Sequence, residues 1–258
     1  MPLDASLNCD AGESFAQYTI GDDENLFPLV SLVNAACGFH GSDFDVMAKT
    51  VALARQHGVA CGAHPSLPDQ QGFGRRVMHL PPDSYRNCLL YQVAALVGFL
   101  KVEGLPLSHI KPHGQAYVMA ARDLDLAQQI AKVAKLYGVP VLGLPGTAHQ
   151  RPASSKAPSS SPNGPYVDVL YSDEGNLLAP RSAALRDPVT PDDVYKRARR
   201  LIETGTWTSK SGEKELSFPE GTTKVSICVH GDFPGAVDVA GAVRRAIDDV
   251  KKGVVQAA

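Results

Sequence analysis

Cysteine is scarce and unpatterned in this 258-residue sequence: five residues, an odd number, widely spaced and without a C-x-x-C pair. That usage argues against a disulfide framework and against a thiolate zinc site, and fits a reducing compartment. No run reaches the roughly 18 apolar residues that a membrane-spanning helix needs. The opening MPLDASLNCD has no basic stretch followed by an apolar core, so no signal peptide is expected and the expected location is the cytoplasm. An excess of one charge is missing too. A net charge of −2 leaves no basic footprint, so neither nucleic acid nor a membrane surface is an expected partner. Phosphate-binding signatures are absent as well. There is no G-x-G-x-x-G after the first strand-like run and no G-x-x-x-x-G-K-[ST], which removes the usual dinucleotide and P-loop readings.

What remains is an ordinary globular composition with alternating periodicities. Strand-like runs fall near 5–9, 29–36, 58–63, 107–111, 139–144, 166–170 and 224–229. Between them lie helical patterns: one opening at Ser42-Asp43-Phe44-Asp45 and closed by Gly58, then Pro82 to Glu103, about Asp123 to Tyr137, Thr190-Pro191 to Gly205, and Ala236 to Lys252. Seven βα units predict a single α/β domain, an irregular (β/α)7 barrel, with a doubly wound open sheet as the rival architecture. The Ser/Pro-rich stretch QRPASSKAPSSSPNGP, 150–165, reads as a flexible insertion, and 209–224 as a second polar loop.

In both architectures chemistry gathers at the carboxyl ends of the strands. Here those exits carry Asn8, Asp10 and Glu13; Asn34, Cys37, His40 and Asp43; His64 and Asp69; Lys111 and His113; His230 and Asp232. Each has a structural explanation by itself. Asn8, Asp10 and Asn34 can cap loops, Asp43 can supply first-turn charge to a helix, and a small thiol such as Cys37 packs well in a core. Five exits repeating the same theme point instead to a site.

The stretches LNCDAGES, NAACGFHGSD, GAHPSLPDQQGFGRR, HIKPHGQAY and ICVHGD resemble, in order and spacing, the LamB/YcsF lactam-utilisation family, which includes the A-type component of the bacterial 5-oxoprolinase. The likeness runs over about 5–146 and 166–250. It implies a seven-stranded βα barrel of the glycoside hydrolase/deacetylase type and ATP-dependent opening of 5-oxo-L-proline to L-glutamate. It further implies ATP with magnesium as cofactor and B- and C-type partner subunits, with self-association into a homo-oligomer left open. It carries Asn8, Asp10, Glu13, Asn34, His40, Asp43, His64, Lys111, His113, His230 and Asp232 onto the family's motif positions. The Asn-x-Asp start and two histidines also look like the divalent-metal set of carbohydrate deacetylases, although Ala11 stands where a second aspartate is usual. The chain departs again at Gly164-Pro165-Tyr166-Val167-Asp168-Val169, where the family's Glu and Arg are both replaced and Asp168 is kept.

A lactam is opened by a base for water, a cation for the developing charge and an acid for the departing nitrogen. The expected roles are Asp10 or Glu13 as base, Lys111 as the cation, and His230 oriented by Asp232 as acid. Asn8, Asn34, Asp43, Arg75 and Tyr117 are expected at the substrate, Arg75 on a loop closing over the site. His40, His64 and His113 are expected to hold a divalent metal such as zinc. Two alternatives stay open: a stand-alone metal-dependent deacetylase or amidohydrolase, and a repurposed non-catalytic binding subunit.

Overall fold

A computed structural model describes residues 2–149, 165–173 and 189–256; the 150–165 insertion lies outside them except for Pro165. The centre is a parallel sheet of β1 (Asp4–Ala11), β2 (Leu32–Ala36), β3 (Ala60–His64) and, at the far end of the chain, a strand at Lys224–Val229, in the spatial order β3, β2, β1, Lys224–Val229. Single parallel bridges extend it at both edges. Ala63 pairs with Ile110 and Ile110 with Val141 on one side, and Tyr166 pairs with Cys228 on the other. The expected strands at 107–111, 139–144 and 166–170 therefore lie parallel to the sheet but contribute isolated bridges. Pro106, Pro112, Pro140 and Pro165 border or interrupt them, and a proline cannot donate to a ladder. Among the described residues no ladder joins the two ends of this array.

The helices begin and end on side-chain chemistry. Between β1 and β2 comes a short α1 (Asp23–Leu26), followed by a 3-10 turn at Phe27–Leu29; this turn occupies the start of the expected strand at 29–36. The next helix, α2 (Phe44–His57), is capped by Asp43, whose carboxylate accepts from the N–H groups of Asp45 and Val46. Gly58, at φ 65, closes it in the left-handed conformation. Then come α3 (Pro82–Val102), α4 (Gly114–Arg122) and α5 (Leu124–Tyr137), the last bounded by Asp123 and Gly138. The helix α6 (Pro191–Thr204) opens on a capping box between Thr190 and Asp193. A two-stranded antiparallel ribbon, β4 (Thr206–Thr208) with β5 (Glu215–Ser217), falls partly inside the expected 209–224 loop. The Lys224–Val229 strand is thus β6, and α7 (Ala236–Gln256) closes the described chain, running past the expected end at Lys252.

Each helix buries one stripe. On α2 it is Met47, Thr50, Val51 and Ala54; on α6 it is Val194, Ala198, Leu201 and Ile202. Each large aliphatic side chain so buried contributes about 1.5–3 kcal/mol. The two helices α6 and α7 pack together, and α7 lies against β1 and β6. The sheet is apolar on the face those helices cover, through residues such as Leu7, Cys9, Val33 and Ile227. Its other face is different. Side chains alternate along a strand, and Asn8, Asp10, Asn34, His64, His109, Lys111 and Ser226 meet there in one buried hydrogen-bonded network.

Candidate active site

Asp10 is the centre of that network. Its Oδ1 accepts from Lys111 Nζ at 2.6 Å and from Asn34 Nδ2 at 2.8 Å, while Oδ2 lies 3.3 Å from His64 Nε2. Burial pushes the Asp10 carboxyl up, but the charged Lys111 against it outweighs burial and holds the group well below the usual carboxylate range. The same pairing works on Lys111. Burial would lower the ammonium, yet the Asp10 carboxylate raises it, so a fully buried lysine stays charged. Its Nζ sits 5.0 Å from the Tyr166 ring centre and 6.0 Å from that of Tyr117, a further favourable field for a cation.

Three imidazoles stand beside Asp10. His64 Nδ1 donates to the Lys111 carbonyl at 2.5 Å, and His113 Nε2 donates to the Phe73 carbonyl at 2.8 Å. A neutral imidazole carries one proton. The two nitrogens left facing each other, His64 Nε2 and His113 Nδ1 at 3.0 Å, are therefore both lone pairs. Burial lowers both histidines, which keeps them neutral. Glu13 Oε1 lies 3.4 Å from His113 Nδ1 and 3.0 Å from His40 Nε2. His40 itself stacks flat on His113, ring centres 3.6 Å apart and planes within 3°. Glu13, pushed well up by burial and then by the carboxylates of Asp232 and Asp10, shares its contact with a His40 that burial pushes well down.

This convergence of acceptors is what a cation satisfies. Ligand atoms on one ion with bonds of about 2.0–2.2 Å lie roughly 3.0–3.5 Å apart. The spacings among His64 Nε2, His113 Nδ1, Glu13 Oε1 and Asp10 Oδ2 are of that size along the chain of contacts. One donor atom each from Glu13, His40, His64 and His113 falls within 4.8 Å of all the others. The residues present fit a divalent ion of the imidazole-binding kind.

On the other side of Lys111 stands a second unit. His230 Nδ1 contacts Asp168 Oδ2 at 3.0 Å, and the His230 backbone N–H donates to the same oxygen at 2.6 Å. Tyr166 stacks on the His230 ring at 4.8 Å, with planes 19° apart. The expected orientation of His230 by Asp232 is thus corrected: the oriented pair is His230 with Asp168. Asp232 faces Arg75 instead, at 3.6 Å, because the chain turns after β6 and no longer alternates. Arg75 also lies 5.4 Å over the Phe73 ring, and a cavity of about 460 Å³ opens beside Asp232, Gly21, Gly231 and Phe233.

The other expected residues divide. Asn8 and Asn34 are fully buried and bonded to protein partners, Asn8 through Ser226 and Ile227. Asp43 caps α2 and also accepts from the Ala16 N–H, so its carboxylate serves the loop and the helix, apart from the cluster. Tyr117 is buried with its ring 4.5 Å from that of His149. Residues that sequence reasoning left out are Tyr166, Asp168, His109 and the Phe73 carbonyl. Of these His109 carried a visible signal in its two-residue spacing from Lys111, and Asp168 one in being kept where the family's Glu and Arg are replaced. Cys37 is not an activated thiol. Burial pushes it and Cys61 up to about 12 and pushes Cys9 and Cys228 well up. Iodoacetamide at neutral pH is therefore expected to leave these four unmodified in folded protein and to label all five cysteines after denaturation. Intact mass checks this, and fast labelling of Cys37 in the folded state overturns it.

Comparison with known proteins places the whole chain. The model of the LamB/YcsF family matches residues 5–258. A protein of Thermus thermophilus named as the A-type component of 5-oxoprolinase is 42% identical over 248 residues, covering 95% of this chain and 96% of that one. A lactam utilization protein, lamB, of Emericella nidulans is 39% identical over 248 residues, covering 96% of each. The crystal structure of a lactam utilization protein from Thermus thermophilus superposes with a TM-score of 0.85 at 39% identity, covering 96% of this chain and 98% of that one.

Proposed function

The chain belongs to the LamB/YcsF family, and from that premise we propose that it is a hydrolase opening a cyclic amide, 5-oxoproline or a related lactam. The observation that carries the reading is the buried Asp10–Lys111 pair, flanked on one side by the His64–His113 lone pairs and on the other by the His230–Asp168 dyad. Breaking a lactam removes amide resonance and leaves charge on the carbonyl oxygen. Lys111, held charged without water around it, stabilises that oxygen as a point charge. Asp10, ionised and an acceptor, orients and deprotonates the attacking water. His230, with Nδ1–H on Asp168, acts as an imidazolium whose Nε2–H protonates the departing ring nitrogen, the proton that Asp10 takes from water balancing the one given up. Arg75 stands at the rim, where a substrate carboxylate can exchange with Asp232.

His64, His113 and Glu13, with His40 or Asp10 at the edge, would hold a divalent metal. Bound there, such an ion supplies Lewis acidity toward the amide oxygen. This favours one second reading, a metal-dependent amidohydrolase working without nucleotide. Magnesium prefers oxygen ligands, so this imidazole-rich set does not fit the magnesium of ATP, and no step here is routed through nucleotide. ATP dependence belongs in this proposal to the partner subunits that the naming of the relatives, as one component of a 5-oxoprolinase, implies. The parallel order 139–144, 107–111, β3, β2, β1, β6, 166–170, with polar side chains gathered on one face, supports an irregular (β/α)7 barrel forming one domain.

The test is release of a free amine from 5-oxoproline and from unsubstituted lactams. It is run with the chain alone and with B- and C-type subunits, each with and without ATP. Ring opening under either condition supports the reading. No product from any lactam under all of them sinks it.

A further inference from the structure

One buried histidine is unused by this chemistry. His109 sits in the 107–111 run, 1% exposed, with Nε2 at 2.6 Å from Asn34 Oδ1 and Nδ1 at 2.6 Å from Ser108 Oγ. The direction of every hydrogen bond around it is forced. Ionised Asp10 can only accept, so Asn34 must present its NH2 to Asp10 Oδ1, and the same NH2 reaches Asn8 Oδ1 at 2.8 Å. The amide oxygen of Asn34 is then turned to His109 and can only accept, which places the single imidazole proton on Nε2. Nδ1 is left to accept from the Ser108 hydroxyl. Burial pushes His109 down to about 3, so the ring holds one proton at neutral pH. The fold makes room for it: Gly62, paired across the ladder with Asn34, has no Cβ, and a Cβ there would overlap the imidazole.

We propose that His109 is a positioning residue for Asp10. Its Nε2–H pins the Asn34 amide with the NH2 toward the carboxylate. Without that donor the amide is held through its NH2 alone, by Asp10 Oδ1, Asn8 Oδ1 and the Cys9 carbonyl, and its buried oxygen is left unpaired, so its position against Asp10 is no longer fixed from both ends. His109 touches no reacting atom; it acts through Asn34.

The inference rests on Asp10 serving in the proposed ring opening, and the experiment separates the two. With 15N-labelled histidine in the wild-type chain, His109 is expected to show a protonated Nε2 and a bare Nδ1 and not to titrate between about pH 5 and 9. An Nδ1-protonated ring overturns the inference whether or not the enzyme opens lactams. In the ring-opening assay His109→Leu is expected to lower kcat about tenfold or more with KM changed by less than about twofold, while His109→Gln, which keeps a donor, stays within about threefold of wild type. In an Asn34→Ala background His109→Leu is expected to cost less than about twofold further. Equal kcat for the Leu and Gln variants, or losses that multiply in the Asn34→Ala background, overturns the inference.

Discussion

Asp10→Asn is expected to reduce lactam turnover by at least about 100-fold, the size of effect that removing a general base produces, with the protein still folded. The substitution is close to isosteric. An asparagine oxygen can still accept from Lys111 and Asn34, and its NH2 can face the His64 lone pair, so geometry survives while charge and basicity are lost. Stability changes as well. Lys111 is fully buried, and removing one partner of a buried ion pair costs about 3–5 kcal/mol. Replacing both partners, as in Asp10→Asn/Lys111→Met, is expected to recover part of that loss, because no unpaired charge remains. The pH dependence has a definite sign. The Asp10 carboxyl is held below its unfolded value of about 3.9, so its contribution is complete above that value and is lost as pH falls through the folded one. The acid limb of the stability curve should therefore be shallower in Asp10→Asn than in wild type. Thermal melts across pH 2 to 7 measure this, and turnover near wild type in the variant removes Asp10 from the mechanism.

Why the sequence showed so much of this site, and missed the rest, follows from the geometry of strands. Side chains two apart share a face, so Asn8-x-Asp10, Gly62-x-His64 and His109-x-Lys111 announce a polar face without any knowledge of pairing. The helix ends were legible for a similar reason, since Asp123 with Gly138 and Thr190 with Asp193 and Gly205 act within one turn of themselves. The partner of His230 was not legible. Asp168 lies 62 residues upstream and reaches His230 only because Tyr166 bridges Cys228. Asp232, two residues on, was the local candidate, but alternation fails once the strand has ended. The ribbon β4–β5 was missed because three residues are too few to show a period. Helix α4 was missed because it starts on Gly114 directly after the His113 motif, where its glycine reads as loop.

The lone pairs of His64 and His113 set up the second large expectation. Two acceptors 3.0 Å apart in a buried site repel unless something positive lies between them. If that is a divalent metal, tag-free protein as purified is expected to hold about one equivalent of a d-block ion. His64→Ala/His113→Ala is expected to hold none, and Glu13→Gln, which loses a charged ligand, to bind it at least about 10-fold more weakly. Elemental analysis by mass spectrometry reads all three. Because Phe73 fixes His113 and the Lys111 carbonyl fixes His64, neither ring can relieve the contact by changing tautomer without breaking a buried hydrogen bond. Metal-free wild type leaves a proton as the positive group at this contact, and the Glu13 carboxyl, pushed well up by burial and 3.4 Å from His113 Nδ1, is placed to supply it. Metal content separates the two cases in one measurement.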